Sequence, residues 1–217
     1  MKLTKLVLVT IATTGAMTLA SQMSLAEEAD KADSKATVTL EQGETTGPVD
    51  PIDPSEPGGE TGHEGPLTID NVTPFEFGTH DISSNSEVYA ATAKNPNIQV
   101  SDRRGTGQGW TLQVGLSTFV ESKDNSVVLK GATLAIPKGT MKTTDGNVSE
   151  APENFGFTLD ADGSGSDVLM NADEKKGMGT WADMLDNSNV KLSVPAGNFA
   201  GEYSATINWS LVDAPTK

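Results

Sequence analysis

Tyr203-Ser204-Ala205-Thr206-Ile207-Asn208-Trp209-Ser210-Leu211 alternates without a break, five apolar side chains interleaved with four polar ones. Successive side chains of a pleated strand point to opposite faces, so Tyr203, Ala205, Ile207, Trp209 and Leu211 share one face and the polar four share the other. Trp110-Thr111-Leu112-Gln113-Val114-Gly115-Leu116 repeats the arrangement, with Trp110, Leu112, Val114 and Leu116 as its apolar stripe. Each stretch contains a Trp-x-Leu triplet, which sets tryptophan and leucine side by side on one face. The alternation favours burial of both indoles; direct contact of an exposed indole with a sugar is the alternative.

Outward from these two stretches, further period-two segments recur between clusters of Gly, Asn, Asp and Pro: Glu87 to Thr92, Ile98 to Ser101, Val127 to Ile136, Phe155 to Leu159 and Val190 to Val194. Asn171 to Leu185 is the best helix candidate, but Gly177 and Gly179 interrupt it. The pattern predicts an all-β domain over residues 67–217, most simply an antiparallel β-sandwich.

Residues 27–66 precede that domain as an acidic, Pro/Gly-rich arm. From Glu41 to Pro66 there are five prolines, six glycines and seven acidic side chains, with no Lys or Arg. Such a stretch has little to bury and repels itself, so it is expected to be a disordered, solvated linker. Ala36-Thr37-Val38-Thr39-Leu40 has strand character and reads equally as an edge strand or a free arm. Residues 1–26 carry Lys2 and Lys5, an apolar stretch from Leu6 to Leu19, and Ser24-Leu25-Ala26. This is the build of a secretory signal peptide cleaved after Ala26, with an apolar core too short for a comfortable membrane span. The C-terminal Leu211-Val212-Asp213-Ala214-Pro215-Thr216-Lys217 has neither an apolar tail nor a sortase-type signal. The expected location is therefore outside the cell, with no membrane insertion of the mature chain.

Composition narrows the function. Thirty acidic residues face 15 basic ones in 217, a formal charge of −15, and loss of two leader lysines takes it to −17. Phosphate recognition rests on Lys and Arg, so nucleic acid is a poor partner. The absence of cysteine excludes disulfides, thiol nucleophiles and thiolate metal sites. His63 and His80 are the only histidines. No Gly-x-Ser-x-Gly or His-Glu-x-x-His occurs, so a non-catalytic protein without cofactor is expected. Asp160-Ala161-Asp162-Gly163-Ser164-Gly165-Ser166 places oxygen groups at positions 1, 3 and 5 of a calcium-loop pattern, but Asn171 stands where a bidentate glutamate is needed. An acidic turn is the better account, and no metal is expected. Arg103 and Arg104, just ahead of the first Trp-x-Leu, are candidate polar contacts to carboxylates or polyanions of a wall.

Taken together, the paired triplets resemble those of the WxL family of Gram-positive surface proteins. That family combines a proximal Trp-x-Leu, here Trp110 and Leu112, with a distal Tyr-x-x-x-Leu-Thr-Trp-x-Leu-x-x-x-Pro ending, here Tyr203, Ile207, Trp209, Leu211 and Pro215 with Ile207-Asn208 in place of Leu-Thr. Gly65 to Asp70, Phe77-Gly78 and Gly177 to Trp181 are also similar. The resemblance implies a short, single-domain protein held non-covalently on the cell wall by affinity for peptidoglycan. It further implies company at the surface, a membrane-anchored WxL-interacting protein and other WxL proteins. The motif residues are either the binding surface or its scaffold. At a charge of −17, attachment to an anionic wall would depend on short-range contacts.

Overall fold

The computed structural model describes residues 30–42 and 46–216. The leader expected at residues 1–26 lies outside them. The chain divides into two units, residues 1–39 and 40–217. In the first, the described residues 30–39 are exposed and form no strand, so Ala36 to Leu40 is no edge strand; Val38 is 82% exposed.

The described residues of the second unit hold fourteen strands: β1 Leu67–Val72, β2 Glu87–Ala90, β3 Asn97–Asp102, β4 Trp110–Leu116, β5 Val120–Glu121, β6 Thr133–Ile136, β7 Thr140–Thr143, β8 Glu153–Asn154, β9 Phe157–Asp160, β10 Ser166–Ala172, β11 Gly179–Met184, β12 Lys191–Val194, β13 Tyr203–Ser204 and β14 Ile207–Val212. All pairings between these strands are antiparallel. They build three four-stranded sheets, β1-β3-β11-β7, β14-β4-β10-β8 and β2-β12-β6-β9, with β13-β5 as a separate ribbon. The expected all-β, sandwich-like class holds, with more sheets than the simplest two-sheet reading. One apolar cluster joins them through Ile98, Val100, Trp110, Leu112, Val114, Leu134, Ile136, Leu169 and Met170.

The Tyr203 to Leu211 stretch is two strands. Thr206 N donates to Ser117 Oγ at 2.8 Å and Thr206 O accepts from Ser117 N at 2.9 Å, and there the chain passes from pairing with β5 to pairing with β4. Val127 to Ile136 keeps only its second half as a strand, because Gly131, at φ 68°, turns the chain before Thr133. The helix candidate is instead the end of β10, a turn, and all of β11. Gly177 has φ 68°, and a Cβ there would meet Ala172 Cβ at 2.5 Å and Trp110 Nε1 at 2.9 Å. Only glycine fits against the buried indole.

The acidic Pro/Gly-rich segment departs most from its expectation. From Thr46 onward it is a docked strap rather than a solvated linker. Ile52 N donates to Gln99 Oε1 at 2.7 Å, Gln99 Nε2 returns to Asp50 O at 3.1 Å, and Asn97 Nδ2 reaches Asp53 O at 2.8 Å. Glu56 and Lys94 exchange both backbone hydrogen bonds, and Val72 N binds Gly59 O at 2.8 Å. The cause is a polar sheet face. Thr68, Asp70, Gln99, Ser101 and Thr180 are buried, with Asp70 accepting from Thr68 Oγ1 at 2.6 Å, Ser101 Oγ at 2.7 Å and Gln99 Nε2 at 3.1 Å. A strap rich in main-chain carbonyls and poor in side chains supplies the partners such a face needs.

Candidate functional site

The two motifs lie on neighbouring strands. β14 runs antiparallel to β4 with Leu211 opposite Leu112, Trp209 opposite Val114 and Ile207 opposite Leu116. The two triplets are nevertheless unequal. Trp110 and Leu112 are fully buried, and Trp110 Nε1 donates to Gly177 O at 3.0 Å. Tyr203 on β13 and Ile207, Trp209 and Leu211 on the edge strand β14 are half-buried, packed against the core with one flank open. Trp181 Nε1 also has a partner, Met178 O at 2.9 Å; Trp209 Nε1 has none among the described residues and is not enclosed.

The middle residue of the proximal triplet positions the end of the distal motif. Thr111 Oγ1 lies 2.9 Å from both Asn171 Oδ1 and Ala214 O, and Thr216 N donates to Asn171 Oδ1 at 2.8 Å. These contacts lay residues 214–216 over the sheet and fix Pro215 there, half-buried.

Arg103 and Arg104 have internal partners. Arg104 forms a two-pronged ion pair with the fully buried Asp102, Nε to Oδ1 at 2.9 Å and Nη2 to Oδ2 at 2.8 Å, and also donates to Gly109 O at 2.7 Å. That pairing raises the Arg104 pKa above its ordinary value despite partial burial. Arg103 Nη2 ties the strap by donating to Gly47 O at 2.8 Å and Gly65 O at 2.7 Å.

An open groove of about 650 Å³ lies where the distal motif begins. Tyr203, Ala205 and Ile207 form part of one wall, the loop carrying Phe75, Phe77 and His80 another, and Leu116, Phe119, Leu134 and Leu192 reach it from the core. Tyr203 OH is anchored on Phe199 O at 3.0 Å, while Phe199 itself is 71% exposed and lines the groove. His80 stacks on Tyr89 with ring centres 3.8 Å apart and planes 10° from parallel, and its Nε2 donates to Phe77 O at 2.6 Å. Glu76, Asp81, Glu87 and Glu202 supply carboxylates. The volume suits a small ligand or a short piece of a polymer. Strand alternation could not reveal Phe75, Phe77, His80 or Phe199, which stand in connecting segments; the available signal was the concentration of rings outside the periodic stretches.

Among the described residues no group of His, Asp and Glu is placed to hold a metal ion, and no helix is long and apolar enough to cross a membrane. The fold is thus an antiparallel β domain whose paired Trp-x-Leu strands lie beside a ring-lined groove. The model of the WxL domain, described as surface cell wall-binding, matches residues 27–215, and the chain belongs to that family. Its domain is a cell-wall-binding one, which associates the chain with the cell surface. Comparison with curated proteins and with solved structures gives no match.

Proposed function

We propose that this is a secreted, non-catalytic surface protein that attaches non-covalently to the wall by binding peptidoglycan. Residues 1–26 act as a cleaved leader, and residues 67–217 form the WxL domain, backed by the docked strap. The groove beside Tyr203 and Ile207 carries this reading, because it offers exposed ring surface where the family's distal motif starts. In this reading Trp110, Leu112, Ile207, Trp209, Leu211 and Pro215 are the scaffold of the groove rather than its contact surface, and Tyr203 contributes to both. Arg103 and Arg104 hold the strap and the approach to β4. Retention of the purified protein on protein-free wall sacculi tests the proposal. Specific, saturable retention is expected; failure to sediment with sacculi overturns it.

A second reading has its own observation. β14 is the outer strand of its sheet, with no strand paired to its other side among the described residues. A structural subunit held by a membrane-anchored WxL-interacting protein, or by other WxL proteins, would use such an edge for strand addition. Retention that appears only after cell-surface extract is added to sacculi favours this reading.

A further inference from the structure

Four of the chain's six phenylalanines and both of its tyrosines line the one groove. Four carboxylates line it as well, and no lysine or arginine does. Both features favour the same kind of ligand. Ring faces carry negative potential and attract a cation within about 6 Å of their centres. Carboxylates at the edge of an apolar groove attract the same charge more strongly than they would in open water. Glu76, Asp81 and Glu202 make no ion pair among the described residues, and Glu87 is engaged only by Ser83 Oγ at 2.8 Å. Ile82 and Phe199, 63% and 71% exposed, give the same groove bare apolar surface.

We propose that this groove recognises a free primary ammonium group on the wall's peptide stems, presented beside an apolar or sugar face. The inference rests on the peptidoglycan reading and names the part of the polymer that is read. An anionic group, whether a stem carboxylate or a wall phosphate, would meet four like charges and no compensating cation. A neutral glycan would use the rings but leave the carboxylates without a partner. A stem whose side-chain amine is free satisfies both; a stem whose amine is consumed in a cross-link does not. The protein would therefore favour sparsely cross-linked wall.

The test uses the full chain produced with its own leader, and calorimetric titration with a soluble disaccharide–tripeptide ending in lysine. Three forms of the probe are compared: free ε-amine, ε-N-acetyl and ε-N,N-dimethyl. Acetylation removes the charge and dimethylation keeps it while adding bulk. The expected result is at least about tenfold weaker binding for the acetylated form and little change for the dimethylated one. Glu202→Gln and Phe199→Ala, both at exposed positions, should narrow that ratio without moving the melting temperature. Equal affinity for free and acetylated probes overturns the inference, as does an unchanged ratio in both variants. Sacculus retention without measurable binding of any probe also overturns it and leaves wall attachment standing, whereas loss of sacculus retention counts against the attachment itself.

Discussion

Asp183→Asn should gain stability relative to the unsubstituted protein as the pH rises from about 4 to 7. Asp183 lies on β11 between Ile98 and Met141 on the flanking strands, fully buried. Asn154 Nδ2 donates to its Oδ1 at 2.7 Å from a different sheet, and Oδ2 has no partner. Burial raises the carboxyl from 3.8 to about 6, with Asn154, the Lys138 charge and the Gly139 N–H opposing the rise only in part. A folded-state value above the unfolded one means that the fold binds the proton more tightly. The contribution is therefore fully present below about pH 3.8, fades through the interval up to 6, and is absent above it. Two units correspond to about 3 kcal/mol, and the steepest slope approaches about 1.4 kcal/mol per pH unit.

An asparagine side chain is close in shape to the protonated acid and does not titrate. Its own unpaired Nδ2 adds a penalty that is constant with pH, so the informative quantity is the change in ΔΔG between pH 7 and pH 4. That change should be about 2–3 kcal/mol in favour of the Asp183→Asn protein at the higher pH. In a unit of this size it corresponds to a relative shift of roughly 5–10 °C in Tm. Urea unfolding of both proteins across pH 4 to 8 measures it. The carboxylates of Asp124, Asp162 and Asp186, lowered by their Ser126, Ser164 and Ser188 partners, titrate below this window and cancel between the two proteins. A ΔΔG that stays flat from pH 4 to 8 would refute the reasoning.

Gly177→Ala should destabilise by about 2 kcal/mol or more, since the left-handed backbone and the Trp110 ring both exclude a Cβ, with a red-shifted tryptophan emission as the spectroscopic sign. Asn97→Ala removes the amide that binds Asp53 O and leaves the Asn71 side chain without its 2.9 Å acceptor; limited proteolysis should then cut within residues 46–61 well before the sheets unfold. Trp209→Ala should cost about 2–3 kcal/mol, less than the about 3–5 kcal/mol of Trp110→Ala, because one flank of its ring is already open. Sacculus retention of Trp209→Ala, measured well below its melting temperature, should persist; a folded variant that no longer binds would place the contact surface on the motif itself.

Alternation carried the sequence reading for several strands with one wet face, although β7 escaped it. Trp110–Leu116 has the expected bounds, and β2, β9 and β12 fall within two residues of their expected spans at each end. Around the strap it placed β3, expected at Ile98 to Ser101, but gave no sign that the polar residues there are buried. In β1 and β3 the polar residues Thr68, Asp70, Gln99 and Ser101 look solvent-facing in a linear reading, yet they are buried under residues 46–61. Composition misled in the same place. Few side chains to bury is a sound argument for disorder only when no complementary surface exists, and here the polar sheet face supplies one for the main chain.

In the proposed function the motif and the binding surface separate for a related reason. A strand that pairs with its neighbour along six residues needs regular apolar positions, so the Trp-x-Leu triplets are visible as pattern. A recognition surface needs exposed rings and unpaired charge, which regular strands bury or alternate away, and these fall to connecting segments such as 74–86 and 195–202. Phe75, Phe77, Phe199 and Glu202 become neighbours only when β13 and β14 turn the chain past the loop ahead of β2. Tyr203 stands at the junction: its ring continues the inward stripe that defines the motif, and its hydroxyl holds the Phe199 carbonyl at 3.0 Å. Through that one residue the buried pattern fixes the position of the exposed surface, which is how a scaffold motif could mark a wall-binding domain while other side chains make the contact.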